Sequence, residues 1–434
     1  TYESPGDYDV SLKISDGSID LVASQPWHCG QFQDGNSSIE LYKDGKLYKE
    51  ISFKDEVGLF TREIDHASEC ILNNKLESQN ISHLDSQSNM LWLDKWRKSL
   101  DIACPFSQLE DSPVSKSRFY LIQKSKLQET PLIGVNKLGS RLALGCDNQT
   151  SALHAFTMFD HFYGSGGRIF DTAYIYNNGK GDKYLGDWIK SRKVEDEIIV
   201  LGKGAHTPEC SPEFIRPQII ESLERLQINK IDIFCLHRDN PDIPVAEFMD
   251  ALNEVRSEGL IGSLGASNWE LDRFSEARNY SASNNKAAFS VLSNNFSLAD
   301  MIDPVWSGCV GTNDSYLNYL TDNKIMLFPW SSQARGFFIK KKEITSNEHF
   351  SNPSLEEEIR VWHDEKNLKR REKCFEIAKS RNVQPIQVAL AYVIQKSPLI
   401  FPLIGPRTVM ETDSSIAAVQ LNLSKEEMNE LFIN

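Results

Sequence analysis

Hydrophobic and polar positions follow two different rhythms along the chain. Up to residue 53, short β-rich runs are broken by turn residues, and the pair Asp44-Gly45 predicts a hairpin turn between two strands. Apolar residues then recur at helical spacing over 60–71 and again over 90–100. This pattern predicts a small α+β domain with an antiparallel sheet over residues 1–106.

After a polar segment of mixed charge, the rhythm changes to apolar runs that alternate with amphipathic helices. The polar segment, residues 107–136, has no sustained periodicity and predicts a linker. Eight apolar runs are the predicted strands: 141–145, 169–173, 198–203, 231–237, 261–268, 289–295, 324–330 and 399–405. Because these runs lack alternation, they fit strands buried on both faces of a parallel sheet. Eight strand–helix units over 137–434 predict an α/β fold, a TIM (β/α)8 barrel, with a doubly wound open sheet as the alternative.

Composition and charge narrow the expected partners. The 434 residues, 40% of them hydrophobic and 25% charged, are typical of a globular protein with two domains. A net charge of −14 argues against nucleic acid or an anionic membrane as the main partner and favours a small molecule. No apolar run could cross a bilayer, and the start has no signal-peptide core, so a cytoplasmic location is expected.

The eight cysteines are scattered and form no CxxC pair. They predict reduced thiols and give no support for a zinc site or any other metal site.

Polar residues stand at the carboxyl ends of successive predicted strands, where a TIM barrel carries its active site. A single Lys or His at a strand end is usually scaffold, but several on adjacent strands indicate a functional site. The residues in question are Asp171, Tyr176, Lys203, His237, Ser267 and Asn268.

The stretches FDTAYIYNNGKGDKYLG, VLGKG, DIFCLH, LGASNW, WSSQARG and LIGPRT resemble, in order and spacing, the successive motifs of the aldo-keto reductase family. The resemblance runs from about residue 137 to the end and implies a TIM barrel that reduces carbonyls with a nicotinamide cofactor, usually NADPH. It places the family's catalytic tetrad on Asp171, Tyr176, Lys203 and His237. Tyr176 would protonate the carbonyl oxygen, Lys203 would stabilise the phenolate, Asp171 would orient Lys203, and His237 would position the oxygen. The chemistry needs no metal.

The same resemblance implies the cofactor contacts. The carboxamide would lie on Ser267, Asn268 and Asn295, Trp330 would stack on the nicotinamide ring, and the remaining contacts would bind the phosphates and adenosine. Those remaining residues are Ser331, Gln333, Arg335, Gly405 and Arg407. Arg407 would bind a 2′-phosphate, but Glu411, where the family often has Gln, would repel one, so NADP and NAD both stay open.

Substrate contacts are less evident from the sequence. His206, Arg238 and Trp269 follow strand ends and are candidates for the pocket wall. The polar insert 336–371 after the seventh strand is a candidate lid or a solvated excursion, and its charges favour the excursion.

The stretch TREIDHASECILNNKLESQNISHLDSQSNMLWLDKWRKSL resembles the C-terminal end of the glucose-fructose oxidoreductase and inositol dehydrogenase family. That family binds its cofactor on a Rossmann domain, and this chain contains no such unit and no counterpart of the family's catalytic Lys motif. The expected role of residues 1–106 is therefore sheet packing or homo-oligomerisation.

The leading hypothesis is an NAD(P)-dependent enzyme that reduces an aldehyde or ketone, with sugars among the candidate substrates because both resembled families often act on them. One alternative is a non-catalytic reductase-like sensor or scaffold. Another is a fragment of a bifunctional sugar oxidoreductase whose first site needs an upstream Rossmann domain.

Overall fold

The computed structural model describes residues 12–23, 36–54, 61–75, 77–99, 127–339 and 355–432. The chain divides into two compact units, Thr1–Cys104 and Pro105–Asn434. Each unit has its own principal sheet.

The first unit contains a four-stranded antiparallel sheet whose strands pair in chain order. The strands are β1 (Leu12–Ser15), β2 (Ile19–Ala23), β3 (Asn36–Lys43) and β4 (Lys46–Lys54). Asp44 and Gly45 join β3 to β4 with φ angles of 48° and 73°, which confirms the predicted hairpin turn. Two helices follow at the positions of the helical patterns, α1 (Thr61–Leu72) and α2 (His83–Ser99).

Within the described residues, the second unit starts with an antiparallel hairpin whose first strand lies in the predicted linker. Its strands are β5 (Glu129–Pro131) and β6 (Leu138–Ser140), and Leu132 between them packs into the apolar cluster that contains Ile169 and Ile199. Because residues from 127 onward pack with the second unit, we propose that the domain boundary lies before residue 127. Residues 107–126 of the predicted linker lie outside the described residues.

Eight parallel strands follow and confirm the predicted TIM barrel. They are β7 (Ala143–Gly145), β8 (Ile169–Asp171), β9 (Ile199–Gly204), β10 (Ile231–Leu236), β11 (Ile261–Ser267), β12 (Phe289–Ser293), β13 (Met326–Leu327) and β14 (Leu403–Ile404). Consecutive strands pair with each other from β7 through β13, and β14 pairs with β7. The circle closes where the Leu327 amide donates to the Leu399 carbonyl (2.9 Å) and the Phe401 amide donates to the Leu327 carbonyl (2.8 Å). This closure excludes the open doubly wound sheet.

Helices cover the outside of the barrel. They are α3 (Ala152–Gly164), α4 (Lys180–Arg192), α5 (Pro212–Leu226), α6 (Val245–Ser257), α7 (Leu271–Ser283), α8 (Asp314–Asp322), α9 (Leu355–Trp362), α10 (Glu365–Arg381), α11 (Pro385–Gln395), α12 (Val409–Gln420) and α13 (Lys425–Leu431). Pro212 lies in the first turn of α5, and Ser424 and Glu427 form a capping box at the start of α13. In the described parts of the chain, no helix is long and apolar enough to cross a membrane.

The predicted insert 336–371 returns to the barrel instead of remaining in solvent. Val361 and Trp362 at the end of α9 are fully buried, and the Val361 carbonyl accepts a hydrogen bond of 2.9 Å from the Ile302 amide. Arg360 pairs with Asp303 in the loop that follows β12. The interpretation of this insert as a solvated excursion is therefore wrong for residues 355–371, while residues 340–354 lie outside the described residues.

The cysteines agree with the prediction of reduced thiols as far as they are described. Six of them are unpaired and buried: Cys70, Cys146, Cys210, Cys235, Cys309 and Cys374.

Candidate active site

The alternation of side chains along the barrel strands brings the polar residues together. Leu201 of β9 lies in the apolar cluster that fills the barrel, so Lys203, two residues further on, also points to the interior. Cys235 of the neighbouring strand β10 lies in the same cluster, so His237, two residues further on, also points to the interior. Asp171, the last residue of β8, lies two residues after Ile169 of this cluster and points inward as well. The apolar core is thus covered by a polar layer at the carboxyl ends of the strands.

Lys203 forms the centre of this layer. Its Nζ donates a hydrogen bond to Asp171 Oδ1, and the two side chains are only 2% and 4% exposed. The same Nζ lies 3.4 Å from Tyr176 Oη. Burial raises the pKa of Asp171 to about 6, although Lys203 lowers it. Burial lowers the pKa of Lys203, but Asp171 and Tyr176 raise it by more, so this group remains a cation.

Backbone pairing beyond the end of β8 brings Tyr176 to Lys203. The Tyr174 amide donates to the Lys203 carbonyl (2.9 Å), and the Tyr176 amide then donates to the Ala173 carbonyl (3.0 Å) in a turn that starts a short 3-10 helix. Tyr176 is half-buried. Burial raises its pKa above the ordinary value of 10, while the Lys203 cation opposes part of this rise. The phenol is therefore a protonated donor at neutral pH.

His237 completes the cluster as a neutral imidazole. Burial holds its pKa well below the ordinary range, and the nearby cation of Lys203 lowers the pKa further. Its ring packs edge-on against Tyr176, with 5.7 Å between centroids, and against His206, with 4.9 Å. Nδ1 of His237 is buried and has no hydrogen-bond partner within the described residues. The ring therefore has a polar atom available to a ligand.

The four side chains of the predicted tetrad thus lie together at one end of a closed barrel. The sequence model of the Aldo/keto reductase family matches residues 132–432. The chain belongs to this family.

Named relatives and a solved structure agree with this assignment. The norsolorinic acid reductase of Aspergillus flavus is 28% identical over 306 residues, which cover 66% of this chain and 71% of that protein. A putative aryl-alcohol dehydrogenase of Saccharomyces cerevisiae is 25% identical over 348 residues, 75% of this chain and 89% of that protein. A thermostable aldo-keto reductase in complex with the inhibitor epalrestat superposes with a TM-score of 0.55 at 21% identity, over 70% of this chain and 98% of that one.

The family match begins at residue 132 and therefore does not include the first unit. The resemblance of residues 1–106 to the glucose-fructose oxidoreductase and inositol dehydrogenase family is not shown by these matches. In the described residues of that part of the chain, the structure contains the predicted antiparallel sheet and helices.

The three residues predicted to bind the nicotinamide carboxamide are neighbours at the ends of β11 and β12. Ser267 donates to the Ser293 carbonyl (2.6 Å), and Asn268 Nδ2 donates to Ser267 Oγ (3.0 Å). Asn268 has a φ of 60°, and Asn295 Nδ2 donates to the Trp330 carbonyl (3.0 Å). These amides are buried and already fixed in position in this aldo/keto reductase.

Trp330 and the loop after β13 form the next part of the rim. The half-buried Trp330 has a buried Nε1 without a hydrogen-bond partner in the described part of the chain. Ser331, Ala334 and Arg335 adopt positive φ angles of 48°, 47° and 49°, a concentration of strained backbone that is typical of ligand-binding loops. Arg335 pairs with Glu357 at 3.1 Å.

The predicted adenosine end lies at the start of α12. Thr408 caps this helix, and Glu411 Oε2 accepts a hydrogen bond of 2.6 Å from the Arg407 amide. Gly405 is exposed, and a Cβ at this position would come within 2.7 Å of Asn148 Nδ2. A side chain at residue 405 would therefore obstruct this edge of the rim.

The donor set fits a dinucleotide with a nicotinamide ring. Trp330 offers an unused buried N–H beside an aromatic face, Gly405 leaves the rim open, and hydroxyl, amide and guanidinium groups suit phosphates. These hydroxyl, amide and guanidinium groups belong to Ser331, Gln333, Arg335 and Arg407.

The three predicted substrate residues have different environments. His206 is half-buried beside His237, and Arg238 is 7% exposed at the same rim. Trp269 is fully buried, packs edge-on against Phe248 and Phe289, and donates from Nε1 to the Arg238 carbonyl (3.2 Å). Trp269 is therefore packed in the helix layer, where the Arg273 guanidinium also lies 5.4 Å from its ring centroid.

Trp306 is a rim residue that the sequence analysis did not identify. It is 52% exposed, its ring centroid lies 6.2 Å from that of Trp330, and the Arg335 guanidinium lies 5.1 Å from its ring centroid. The available signal was a single Trp in the turn-rich stretch IDPVWSGC after the sixth barrel strand.

Proposed function

We propose that this aldo/keto reductase reduces an aldehyde or ketone with NADPH or NADH, and that Tyr176 is the general acid. The observation that carries the proposal is the buried Lys203 ammonium, which lies between the Asp171 carboxylate and the Tyr176 hydroxyl. A phenol with an ordinary pKa of about 10 transfers its proton more readily when a fixed cation stabilises the phenolate that remains.

Each member of the cluster has a distinct role in the proposed reaction. When bound, the nicotinamide would supply a hydride to the carbonyl carbon. Tyr176 Oη gives its proton to the carbonyl oxygen, and Lys203 holds the resulting phenolate. Asp171 fixes the ammonium, and the neutral His237 ring hydrogen-bonds the carbonyl oxygen and orients it. The product is the alcohol, and Tyr176 is reprotonated from solvent before the next turnover.

The cofactor would be held by the rim residues described above. Ser267, Asn268 and Asn295 would receive the carboxamide, and Trp330 would stack on the ring. The loop after β13 and the start of α12 would bind the phosphates through Arg335 and Arg407, together with the Ser331 hydroxyl and the Gln333 amide.

An aromatic carbonyl is the substrate class with the best support. Trp306 and Trp330 present two rings tilted by 39° at this rim, a surface suited to a flat ring. The names of relatives point the same way, since one is a putative aryl-alcohol dehydrogenase. Sugars have weaker support, because that hypothesis rests in part on the resemblance of residues 1–106.

The test is the oxidation of NADPH and NADH by the full chain with aromatic aldehydes, aliphatic aldehydes and sugars as substrates. We expect turnover that is highest with the aromatic aldehydes. Higher kcat/KM with sugars would overturn the aromatic assignment. Saturable cofactor binding without turnover of any carbonyl would favour the non-catalytic sensor or scaffold.

A further inference from the structure

Arg238 is a buried cation with no acidic partner among the described residues. Its side chain is 7% exposed, and its Nε atom is buried without a hydrogen-bond partner in that part of the chain. The contacts it does make are weak or neutral, with Nη1 donating to the His237 carbonyl (3.1 Å) and Nη2 lying 3.6 Å from Cys309 Sγ. A buried charge without a counter-charge is costly, so such a residue is expected to meet an anion when the protein functions.

The nearest carboxylate along the chain does not neutralise Arg238. Asp239 is the next residue, but both of its oxygens accept hydrogen bonds from Arg273 of α7, at 3.0 and 2.9 Å. This bidentate pair is the strongest form of arginine–carboxylate contact, so Asp239 is fully engaged. The positive charge of Arg238 therefore has no counter-charge among the described residues and can pair with a bound ligand.

The guanidinium lies at the catalytic rim. The His237 carbonyl that accepts from Arg238 Nη1 also accepts from Asn268 Nδ2 at 3.3 Å, so Arg238 lies beside both the tetrad histidine and a residue of the proposed carboxamide site. Burial is the main cause of the lowered pKa values of His206 and His237, and the positive charge of Arg238 lowers both further. Arg238 is therefore within electrostatic range of the position where the carbonyl would bind.

The loop after β12 encloses Arg238 and carries the aromatic wall. Gly308 lies above the arginine stem, and a Cβ there would be 3.7 Å from Arg238 Cδ. Cys309 contacts Nη2, and Trp306 stands two residues before Gly308. This short loop thus contacts the Arg238 guanidinium and carries the exposed indole of Trp306.

We infer that Arg238 binds a carboxylate on the substrate, so that the enzyme reduces aromatic aldehydes or ketones that carry an acid group. This inference rests on the proposed reductase function. The planar guanidinium matches a carboxylate with two parallel hydrogen bonds, and the lack of a counter-charge among the described residues makes that contact stronger. The same unpaired cation would discriminate against neutral substrates, because they would leave it buried and unpaired.

The experiment compares each carboxybenzaldehyde isomer with its methyl ester, using the full chain and saturating cofactor. We expect kcat/KM for at least one acid to exceed that for its ester by roughly tenfold or more, the order expected of one charge-assisted hydrogen bond. Arg238→Met should reduce this ratio to about one. Arg238→Lys should keep part of it, because Lys retains the charge but offers no planar fork. Arg216→Met, which removes an exposed positive charge from α5, should leave the ratio unchanged.

A measurement on the unchanged protein makes the test independent of how well the variants fold. Benzoate should inhibit reduction of the methyl ester competitively, whereas benzamide at the same concentration should not. An acid-to-ester ratio near or below one for every isomer, or equal inhibition by benzoate and benzamide, would overturn the inference and leave the reductase function intact. An unchanged acid-to-ester ratio in Arg238→Met would also overturn it. So would a result in which Arg238→Met binds the cofactor more weakly but still discriminates between acid and ester. No turnover with any acid or ester would overturn this inference, and no turnover with any of the aldehydes, ketones or sugars tested would overturn the proposed function as well.

Discussion

The carboxylate of Glu411 accepts a hydrogen bond of 2.6 Å from the backbone amide of Arg407. This hydrogen bond holds Glu411 in the first turn of α12, next to any ligand that approaches Arg407. Helix N-termini attract anions, and the Glu411 carboxylate already neutralises part of the positive potential at the start of α12. A 2′-phosphate at Arg407 would meet a guanidinium and a carboxylate together.

We predict that NADPH binds more tightly than NADH by about one order of magnitude, because a charge-assisted contact to Arg407 outweighs repulsion of about 1 kcal/mol from Glu411. Arg407→Ala should remove most of this margin and leave the affinity for NADH nearly unchanged. Glu411→Gln should widen the margin, since Gln can keep the hydrogen bond to the Arg407 amide without the charge. Dissociation constants from fluorescence quenching at fixed ionic strength test this, and a preference for NADH in the parent protein would contradict it.

Removal of the Tyr176 hydroxyl should slow the chemical step without weakening cofactor binding. We expect Tyr176→Phe to lower kcat for carbonyl reduction by about two to four orders of magnitude while the dissociation constant of the cofactor stays within a few-fold, as for loss of a positioned general acid. Lys203→Met should be similarly damaging, because it removes the cation 3.4 Å from the hydroxyl. If Tyr176→Phe turned over as fast as the parent, another group would be the acid.

The reaction should lose activity as the pH falls through about 6. Burial raises the pKa of Asp171 to about 6, so its carboxylate is ionised above that pH and protonated below it. Protonation removes the negative charge that fixes Lys203, and kcat/KM for reduction should then decrease on the acid side. In Asp171→Asn, kcat/KM should be lower than in the parent protein and should no longer change with pH near 6. A decrease that persists in the variant would assign the titration to another group.

The anchoring of α9 can be tested at Trp362, which is fully buried and has a buried Nε1 without a partner among the described residues. Trp362→Ala should reduce the free energy of unfolding by roughly 3–5 kcal/mol, the range for truncating a buried aromatic residue. Trp362→Phe should cost much less, about 1.5 kcal/mol or below, because it keeps an aromatic ring and removes the unpaired donor. Urea midpoints followed by circular dichroism measure both. Equal, small shifts would show that α9 contributes little to the stability of the barrel.

Local patterns in the sequence were sufficient for the barrel and for the position of the tetrad. Eight apolar runs separated by helices predict a parallel barrel, and a step of two residues along a strand takes Leu201 to Lys203 and Cys235 to His237. Both patterns arise from short-range geometry, since strand side chains alternate and barrel strands deliver their carboxyl ends to one rim. The Asp44-Gly45 turn was predictable for the same reason.

Only the tertiary structure decided which strand-end residues face the rim and what they meet there. Arg238 and Trp269 both follow strands, yet the first lies at the rim with its Nε unpaired among the described residues. The second packs against Phe248 of α6, Phe289 of β12 and the Arg273 guanidinium of α7. The return of α9 and the contact between Glu411 and Arg407 were likewise not evident from the sequence. These features depend on packing between residues far apart in the chain and on loop conformation, whereas periodicity reports only the face of an element on which a residue lies.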